Sequence, residues 1–234
     1  MDGTLNRETD MRFAVRLALL LLIGCLIASA ETPAKIGPSA VWQMPGQFMT
    51  TARAACNPAK TRDIGECLIG QMQKAGAPAD AVAFTRELYK ANKGEFGVMT
   101  GFHDEGPVAF AWITYPLRAN TNYGFLIVNG QPRILNVEDL KLLDNKTMKQ
   151  DAQFQNLKAQ YPKIDVWPGD RSGQIWPNSQ TGPNGGPQFS VGYPLKNGCN
   201  ACANAGQVIF NWNFDPTGKF QGTTFQGIIG PPPQ

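Results

Sequence analysis

The spacing of apolar residues changes character near residue 96, and this change limits the folds open to the chain. Over 47–95 the apolar residues recur at helical intervals, whereas from Phe96 onward they fall in short runs rich in β-branched and aromatic residues. Pro78 and Gly94 flank the last helical segment where such residues favour a helix start and a helix end. The sequence therefore predicts an α+β fold, with an N-terminal helical unit packed against a mostly antiparallel sheet.

The strand-like runs form two groups, and turn sequences separate the members of each group. The first group predicts an antiparallel meander over 96–102, 108–115 and 123–128. The second group covers 189–195, 207–214 and 220–225, and we expect its strands to complete the first sheet. Between the groups we expect a helix over 137–143 capped by Asn136, a helix over 148–160, and a loop rich in Trp, Pro and Gly over 162–187.

An apolar run at 17–27 follows Arg12 and Arg16 and precedes Ala28-Ser29-Ala30, which is the order of parts in an export signal. The run is shorter than the roughly 20 apolar residues that a membrane-spanning helix needs. We therefore expect 1–30 to be a cleaved signal peptide, with translation starting at Met11 because acidic residues precede it. The alternative is a lipoprotein anchored through Cys25, whose preceding residues resemble a lipobox.

Beyond the signal peptide, the composition predicts one globular domain. Residues 31–46 form a lead-in that contains Pro and Gly, residues 47–95 form the helical unit, and residues 96–234 form the α+β region. We expect the helical unit and the α+β region to share a core, because the remaining chain has the length of a single domain. No later apolar run approaches a membrane span, so we expect no transmembrane segment in the mature chain.

Four cysteines remain after cleavage, and an even number in an exported chain favours disulfides. Pairing between neighbours in sequence is the simplest arrangement, which joins Cys56 to Cys67 and Cys199 to Cys202. Two other functions of the Cys199-Asn-Ala-Cys202 motif stay open, a thiol redox centre and a zinc site with four thiolates. A redox CxxC opens a helix, whereas here Gly198 precedes the motif and a strand-like run follows it, so we expect a loop between strands.

Charge and histidine content exclude several functional classes. The chain has 21 Lys and Arg against 18 Asp and Glu, and this small, scattered excess does not suggest nucleic acid as a partner. The sole histidine, His103, excludes metal sites with two or more imidazoles. His103-Asp104-Glu105 is the one candidate for acid-base chemistry, and we expect it to be an ordinary turn before Gly106-Pro107. We find no cofactor motif, and we assign no catalytic residue and no metal ligand.

A short internal repeat supplies the candidate binding residues. The nine residues from Asp165 to Gly173 and the nine that follow both contain Trp-Pro, then polar residues and a closing Gly. Trp before Pro favours extended backbone, so the repeat can present two indole rings in equivalent settings. We assign the binding surface to Trp167, Trp176, Asp170 and Arg171. The alternative is that both rings point inward and hold a long loop against the sheet.

A second repeat relates Tyr115-Pro-Leu-Arg118 to Tyr193-Pro-Leu-Lys196. Because proline lacks a backbone N–H, we expect each motif to lie where its strand leaves the sheet. A duplicated binding edge is the functional hypothesis, and two similar hairpins are the simpler alternative.

Together these features predict an exported, disulfide-containing cell-envelope protein, periplasmic or secreted, that acts as a non-catalytic binding or structural module. Its expected partner is a cell-wall glycan or peptide, contacted through the Trp-Pro repeat. The alternatives are a periplasmic hydrolase-type enzyme and a thiol redox protein that uses Cys199 and Cys202.

Overall fold

Three helices form the N-terminal part, as the helical spacing predicts. A computed structural model describes residues 34–57, 59, 61–119, 122–169 and 177–230. After a 3-10 turn at Pro38–Ala40, the helices are α1 (Phe48–Ala55), α2 (Ile64–Lys74) and α3 (Ala79–Ala91). The carboxylate of Asp63 caps α2 by accepting a hydrogen bond from the Glu66 amide, and α3 is followed by Gly94, whose φ of 85° suits glycine.

The first sheet is a four-stranded antiparallel meander, which confirms the three predicted strands and adds a fourth. Its strands, in spatial order, are β1 (Val98–Glu105), β2 (Val108–Thr114), β3 (Tyr123–Val128) and β4 (Ile134–Asn136). Strand β2 is buried on both faces, which explains its unbroken apolar sequence. The face with Phe110 and Trp112 carries large side chains, whereas the face with Ala109 and Ala111 carries small ones that let α3 approach.

The last strands form a second sheet, so the expectation that they complete the first sheet is wrong. This sheet contains β5 (Ile164–Val166), β6 (Asn178–Thr181), β7 (Pro187–Asn197), β8 (Asn204–Phe214) and β9 (Phe220–Ile229), paired antiparallel around the central β7 and β8. Side chains of β7 alternate between buried and partly exposed. A strand with one apolar and one polar face buries its apolar face best against another sheet. The last strands therefore pack as a second sheet and do not pair with the edge of the meander.

The core therefore has three layers, with helices on one face of the first sheet and the second sheet on its other face. Phe84 and Leu88 of α3 pack against Ala111 and Leu126, while Phe110 packs against Phe189 at 4.5 Å between ring centroids. This arrangement confirms the α+β fold, and residues Ile36–Gln234 form one compact unit. None of the described helices has the length and apolar character that crossing a membrane requires.

The helices between the sheets differ from prediction in two ways. Residues 140–142 form only a 3-10 turn capped by Asp139, and Asn136 belongs to β4. The helix predicted over 148–160 is two helices, α4 (Asn145–Gln150) and α5 (Ala152–Gln160). Asp151 separates them because its backbone is extended, at φ −66° and ψ 135°, and its carboxylate caps α5.

Both disulfides join neighbours in sequence, which confirms the predicted pairing. Cys56 is bonded to Cys67 and Cys199 to Cys202, with Cα atoms 5.8 Å and 5.0 Å apart. Cys56 is buried in the core of the helical unit, whereas Cys199 and Cys202 lie in the exposed loop between β7 and β8. The Cys199-Asn-Ala-Cys202 motif therefore lies in a loop between two strands, as expected.

Candidate functional site

A cavity of about 580 Å³ opens where α3 ends and where loops of both sheets meet. This volume lies within the range of small-molecule binding sites. Five parts of the chain form its wall, namely Ala91–Lys93 after α3, Arg118 after β2, Asn136–Lys141 after β4, Trp167 and Pro168 after β5, and Asn200 between β7 and β8. Residues far apart in sequence therefore share one concave surface.

Arg118 is the centre of the polar network at this cavity. Its Nε and Nη2 donate to the two carboxylate oxygens of Glu95 at 2.6 Å and 2.9 Å, and its Nη1 lies 3.0 Å from Oε2 of Glu138. The guanidinium also stacks on the ring of Tyr115, 3.7 Å from the ring centroid. A bidentate pair combined with ring stacking fixes the orientation of this side chain, which lysine does not reproduce.

The surroundings shift the pKa of both Arg118 and Tyr115 upward. Burial opposes the charge of Arg118, but the hydrogen bond to Glu95 and the charges of Glu138 and Glu95 outweigh burial and raise its pKa. Burial is the main cause that raises the pKa of Tyr115, and the charge of Glu138 acts in the same direction. Arg118 therefore remains a cation and Tyr115 remains a neutral phenol across the physiological range.

The local sequence explains how Arg118 reaches the cavity. Strand β2 ends at Thr114, and Tyr115-Pro-Leu-Arg118 closes a turn in which the Arg118 amide donates to the Tyr115 carbonyl at 3.2 Å. Gly97 and Gly124 leave room for the Tyr115 ring, because a Cβ at either glycine would overlap it. The first motif of the Tyr-Pro-Leu repeat therefore lies where its strand ends, as predicted.

The second motif of this repeat does not end a strand, which corrects the prediction. Tyr193-Pro-Leu-Lys196 lies inside β7, with β5 on one side and β8 on the other. Pro194 fits there because its position requires only an acceptor, and its carbonyl receives the Trp167 amide at 3.0 Å. The Tyr193 hydroxyl donates to the Val137 carbonyl at 2.8 Å inside the core. The two motifs therefore do not form a duplicated edge.

Trp167 is neither a core residue nor a fully exposed one. It is half-buried, it lines the cavity, and its backbone continues the pairing of β5 with β7. Its indole Nε1 is buried and has no hydrogen-bond partner among the described residues. The other three predicted binding residues, Asp170, Arg171 and Trp176, lie outside the described residues, so their assignment stays a prediction.

Charges around the cavity balance. Lys93, Arg118 and Lys141 contribute positive groups, while Glu138 and Asp139 in the wall and Glu95 behind Arg118 contribute negative ones. The remaining polar residues of the wall are Asn92, Asn136 and Asn200. The Asn136 amide donates to the Asn92 side chain at 3.5 Å, and the Asn92 amide donates to Glu95 at 2.7 Å. Such a surface offers neutral donors and acceptors beside one aromatic ring, and its fixed charges favour neither anionic nor cationic ligands.

His103 lies in β1 and not in a turn, which corrects the expectation for residues 103–105. Residues two apart in a strand share a face, so His103 Nε2 approaches Oε1 of Glu105 at 3.0 Å. The turn itself consists of Gly106-Pro107, with Gly106 at φ 76°. The His103 side chain is 48% exposed and does not line the cavity. The pair is a surface contact of the first sheet.

No pattern in the sequence predicts the Arg118 network. The Tyr-Pro-Leu repeat drew attention to Arg118, but Glu95 and Glu138 had no pattern that linked them to it. Among the described residues, no group of three or more His, Cys, Asp or Glu side chains could hold a metal ion. The groups at the cavity are aromatic, amide and ion-paired ones.

Comparisons of the chain with protein-family models, with curated proteins and with solved structures find no match. The functional proposal therefore rests on the residues of the cavity.

Proposed function

We propose that the protein is an exported, non-catalytic binding module of the cell envelope, and that the cavity at Arg118 and Trp167 holds part of a cell-wall glycan. The observation that carries this proposal is the half-buried Trp167 beside Asn92, Asn136 and Asn200 in a charge-balanced cavity. An indole offers an apolar face for a sugar ring, and side-chain amides hydrogen-bond to its hydroxyl groups.

Two further features support the location outside the cytoplasm. The apolar run at 17–27 with its flanking residues has the composition of an export signal. Two disulfides suit an oxidising compartment such as the periplasm or the cell exterior. The intact mass of the exported protein tests this part, because a chain that begins at Glu31 supports signal cleavage, whereas lipid on Cys25 supports the anchored alternative.

The Arg118 network favours binding over catalysis. Both carboxylates that contact Arg118 are engaged with a permanently charged guanidinium, and this arrangement orients groups but does not hold a proton ready for transfer. The ion pairs support the shape of the cavity, and two of its amides belong to the same network, since Asn92 donates to Glu95 at 2.7 Å and Asn136 donates to Asn92 at 3.5 Å. Trp167 and the remaining hydrogen-bonding capacity of the amides are the groups we assign to ligand contact. A hydrolase remains the alternative function, and release of soluble sugar from the bound glycan is its signature.

Retention of the purified protein on isolated cell-wall glycan tests the proposal. We expect Trp167→Ala to weaken retention at least about tenfold, as expected for an aromatic group central to binding. Tyr123→Ala is the matched control, because Tyr123 is 37% exposed and does not line the cavity. Trp167→Phe keeps an aromatic face and is expected to retain part of the binding, which separates ligand contact from a folding defect.

Equal retention of wild type and Trp167→Ala would overturn the proposed site. Loss of retention when peptides are stripped from the wall material would identify a peptide as the partner and contradict the glycan assignment.

A further inference from the structure

The Cys199–Cys202 disulfide flanks a residue of the cavity wall, Asn200. Asn200 is one of the two residues between the bonded cysteines, it is exposed, and it lines the same cavity as Trp167. The disulfide closes a very short ring around this residue. The position of one wall amide therefore depends directly on a covalent bond that thiols can open.

The hairpin gives this loop few other constraints. The Cys202 amide donates to the Cys199 carbonyl at 3.1 Å, and the Asn197 amide donates to the Ala203 carbonyl at 3.1 Å. Gly198 enters the loop at φ 94°, beside the side chain of Lys163. Residues 200 and 201 are exposed, and no apolar side chain of the loop belongs to the described core clusters. Opening the disulfide therefore frees the segment that carries Asn200.

The two disulfides differ in access to solvent. Cys56 is 2% exposed, and its partly exposed partner Cys67 packs against the core of the helical unit, whereas Cys199 and Cys202 are both partly exposed in a loop outside the core clusters. Exposed disulfides react with external thiols more readily than buried ones. A mild thiol reductant is therefore expected to open the Cys199–Cys202 bond while the Cys56–Cys67 bond persists.

We propose that the Cys199–Cys202 disulfide makes glycan binding in the cavity dependent on redox state, because it holds Asn200 at the cavity wall. This inference rests on the proposed function. In the reductive step an external dithiol gives two electrons and two protons, the S–S bond breaks into two cysteine thiols, and the dithiol closes its own disulfide. The oxidised protein binds the glycan with Asn200 already in place. The reduced protein must order the loop on binding, and this ordering lowers its affinity for the glycan.

Binding of soluble oligosaccharides released from cell-wall glycan tests this inference. We expect Cys199→Ser/Cys202→Ser to bind about three- to tenfold more weakly than oxidised wild type, the cost of ordering one polar side chain and its loop. Asn200→Ala is expected to cause a similar loss. Combining Asn200→Ala with the double serine variant is expected to add little, because both changes remove the same contact.

The matched control is Cys56→Ser/Cys67→Ser, which removes a disulfide that does not line the cavity. We expect it to lower thermal stability and to leave the affinity of the folded protein unchanged. Hydrogen exchange supplies a measurement that needs no ligand, since reduction should accelerate exchange of the Cys202 amide and leave the Trp167 amide protected.

The outcomes separate the two proposals. If oxidised wild type does not bind the oligosaccharides, the proposed function fails and this inference falls with it. If wild type binds and the Cys199→Ser/Cys202→Ser variant binds equally well, the redox inference alone is wrong. Unchanged exchange of the Cys202 amide on reduction would also overturn it, because the disulfide would then not hold the loop.

Discussion

Arg118 and Glu138 approach within 3.0 Å at a point where only 9% of the Glu138 side chain reaches solvent. The same guanidinium binds Glu95 through two hydrogen bonds, so one cation from the loop after β2 joins the end of α3 to the segment after β4. This network connects the helical layer to the first sheet at the cavity. The network stabilises the fold, because without Arg118 the buried carboxylate of Glu138 would lose its ion-pair partner, which is energetically costly.

Removal of the Arg118 charge is expected to destabilise the protein strongly. Arg118→Met keeps most of the side-chain volume but leaves Glu138 buried beside no guanidinium, at an expected cost of about 3 kcal/mol in the free energy of unfolding. Urea denaturation measures this difference. Arg86→Met is the control, because Arg86 and Glu66 are 41% and 40% exposed and such surface pairs contribute less than about 1 kcal/mol. Equal losses in the two variants would contradict the structural role of Arg118.

Tyr115→Phe is expected to change the alkaline stability of the protein. Burial raises the pKa of Tyr115 in the folded state, so the folded protein holds this proton more tightly than the unfolded chain does. Its contribution to stability is therefore complete below the ordinary tyrosine pKa of about 10, and it declines as the pH rises from that value toward the raised pKa of the folded state. We expect wild type to lose more stability than Tyr115→Phe between about pH 8 and about pH 10.5 in urea denaturation.

At neutral pH the same variant should differ from wild type by less than about 1 kcal/mol. The Tyr115 hydroxyl is buried without a hydrogen-bond partner among the described residues, and phenylalanine keeps the ring under Arg118. A large loss at neutral pH would show that the hydroxyl has an important partner.

Gly124→Ala is expected to destabilise the first sheet. A Cβ on Gly124 would overlap the ring of Tyr115, which is fully buried. Overpacking of this kind costs about 1 to 3 kcal/mol. Gly70→Ala is the matched control, because a Cβ on this helical glycine meets nothing within 4 Å and alanine favours the helix. Thermal unfolding should therefore show a lower midpoint for the first variant and an equal or higher midpoint for the second.

Asp151→Ala is expected to weaken the junction between α4 and α5. The Asp151 carboxylate accepts hydrogen bonds from the Gln153 and Phe154 amides at 2.9 Å and 3.1 Å, and loss of such a cap costs about 1 kcal/mol. Asp151→Asn keeps an acceptor and should retain most of this stability. If both variants lose the same amount in urea denaturation, the charge and not the cap geometry stabilises the junction.

Local patterns in the sequence were sufficient to predict the helices of the N-terminal unit, the strands of the first meander that were named and the pairing favoured for the disulfides. Each depends on residues close in the chain, since helical spacing, tight turns and short loops are local properties. The single helix predicted over 148–160 failed for a local reason as well, because Asp151 caps a new helix more favourably than it continues the old one.

The Trp-Pro repeat shows which part of the site could be predicted from the sequence and which part could not. It identified Trp167 as a candidate contact, and the structure places that residue in the cavity wall. It gave no indication of Glu95 or Glu138, because ion pairs between distant segments leave no periodic pattern in a single sequence.

The sequence by itself determined the α+β class, favoured the local disulfide pairing and put forward Trp167 as a candidate contact, because these follow from periodicity and spacing along the chain. Only the tertiary structure decided that the last strands form a separate sheet and that Arg118, Trp167 and Asn200 line one cavity. The physical reason is that sheet pairing and cavity formation depend on which apolar faces meet across long separations, and that choice is set by packing of the whole core.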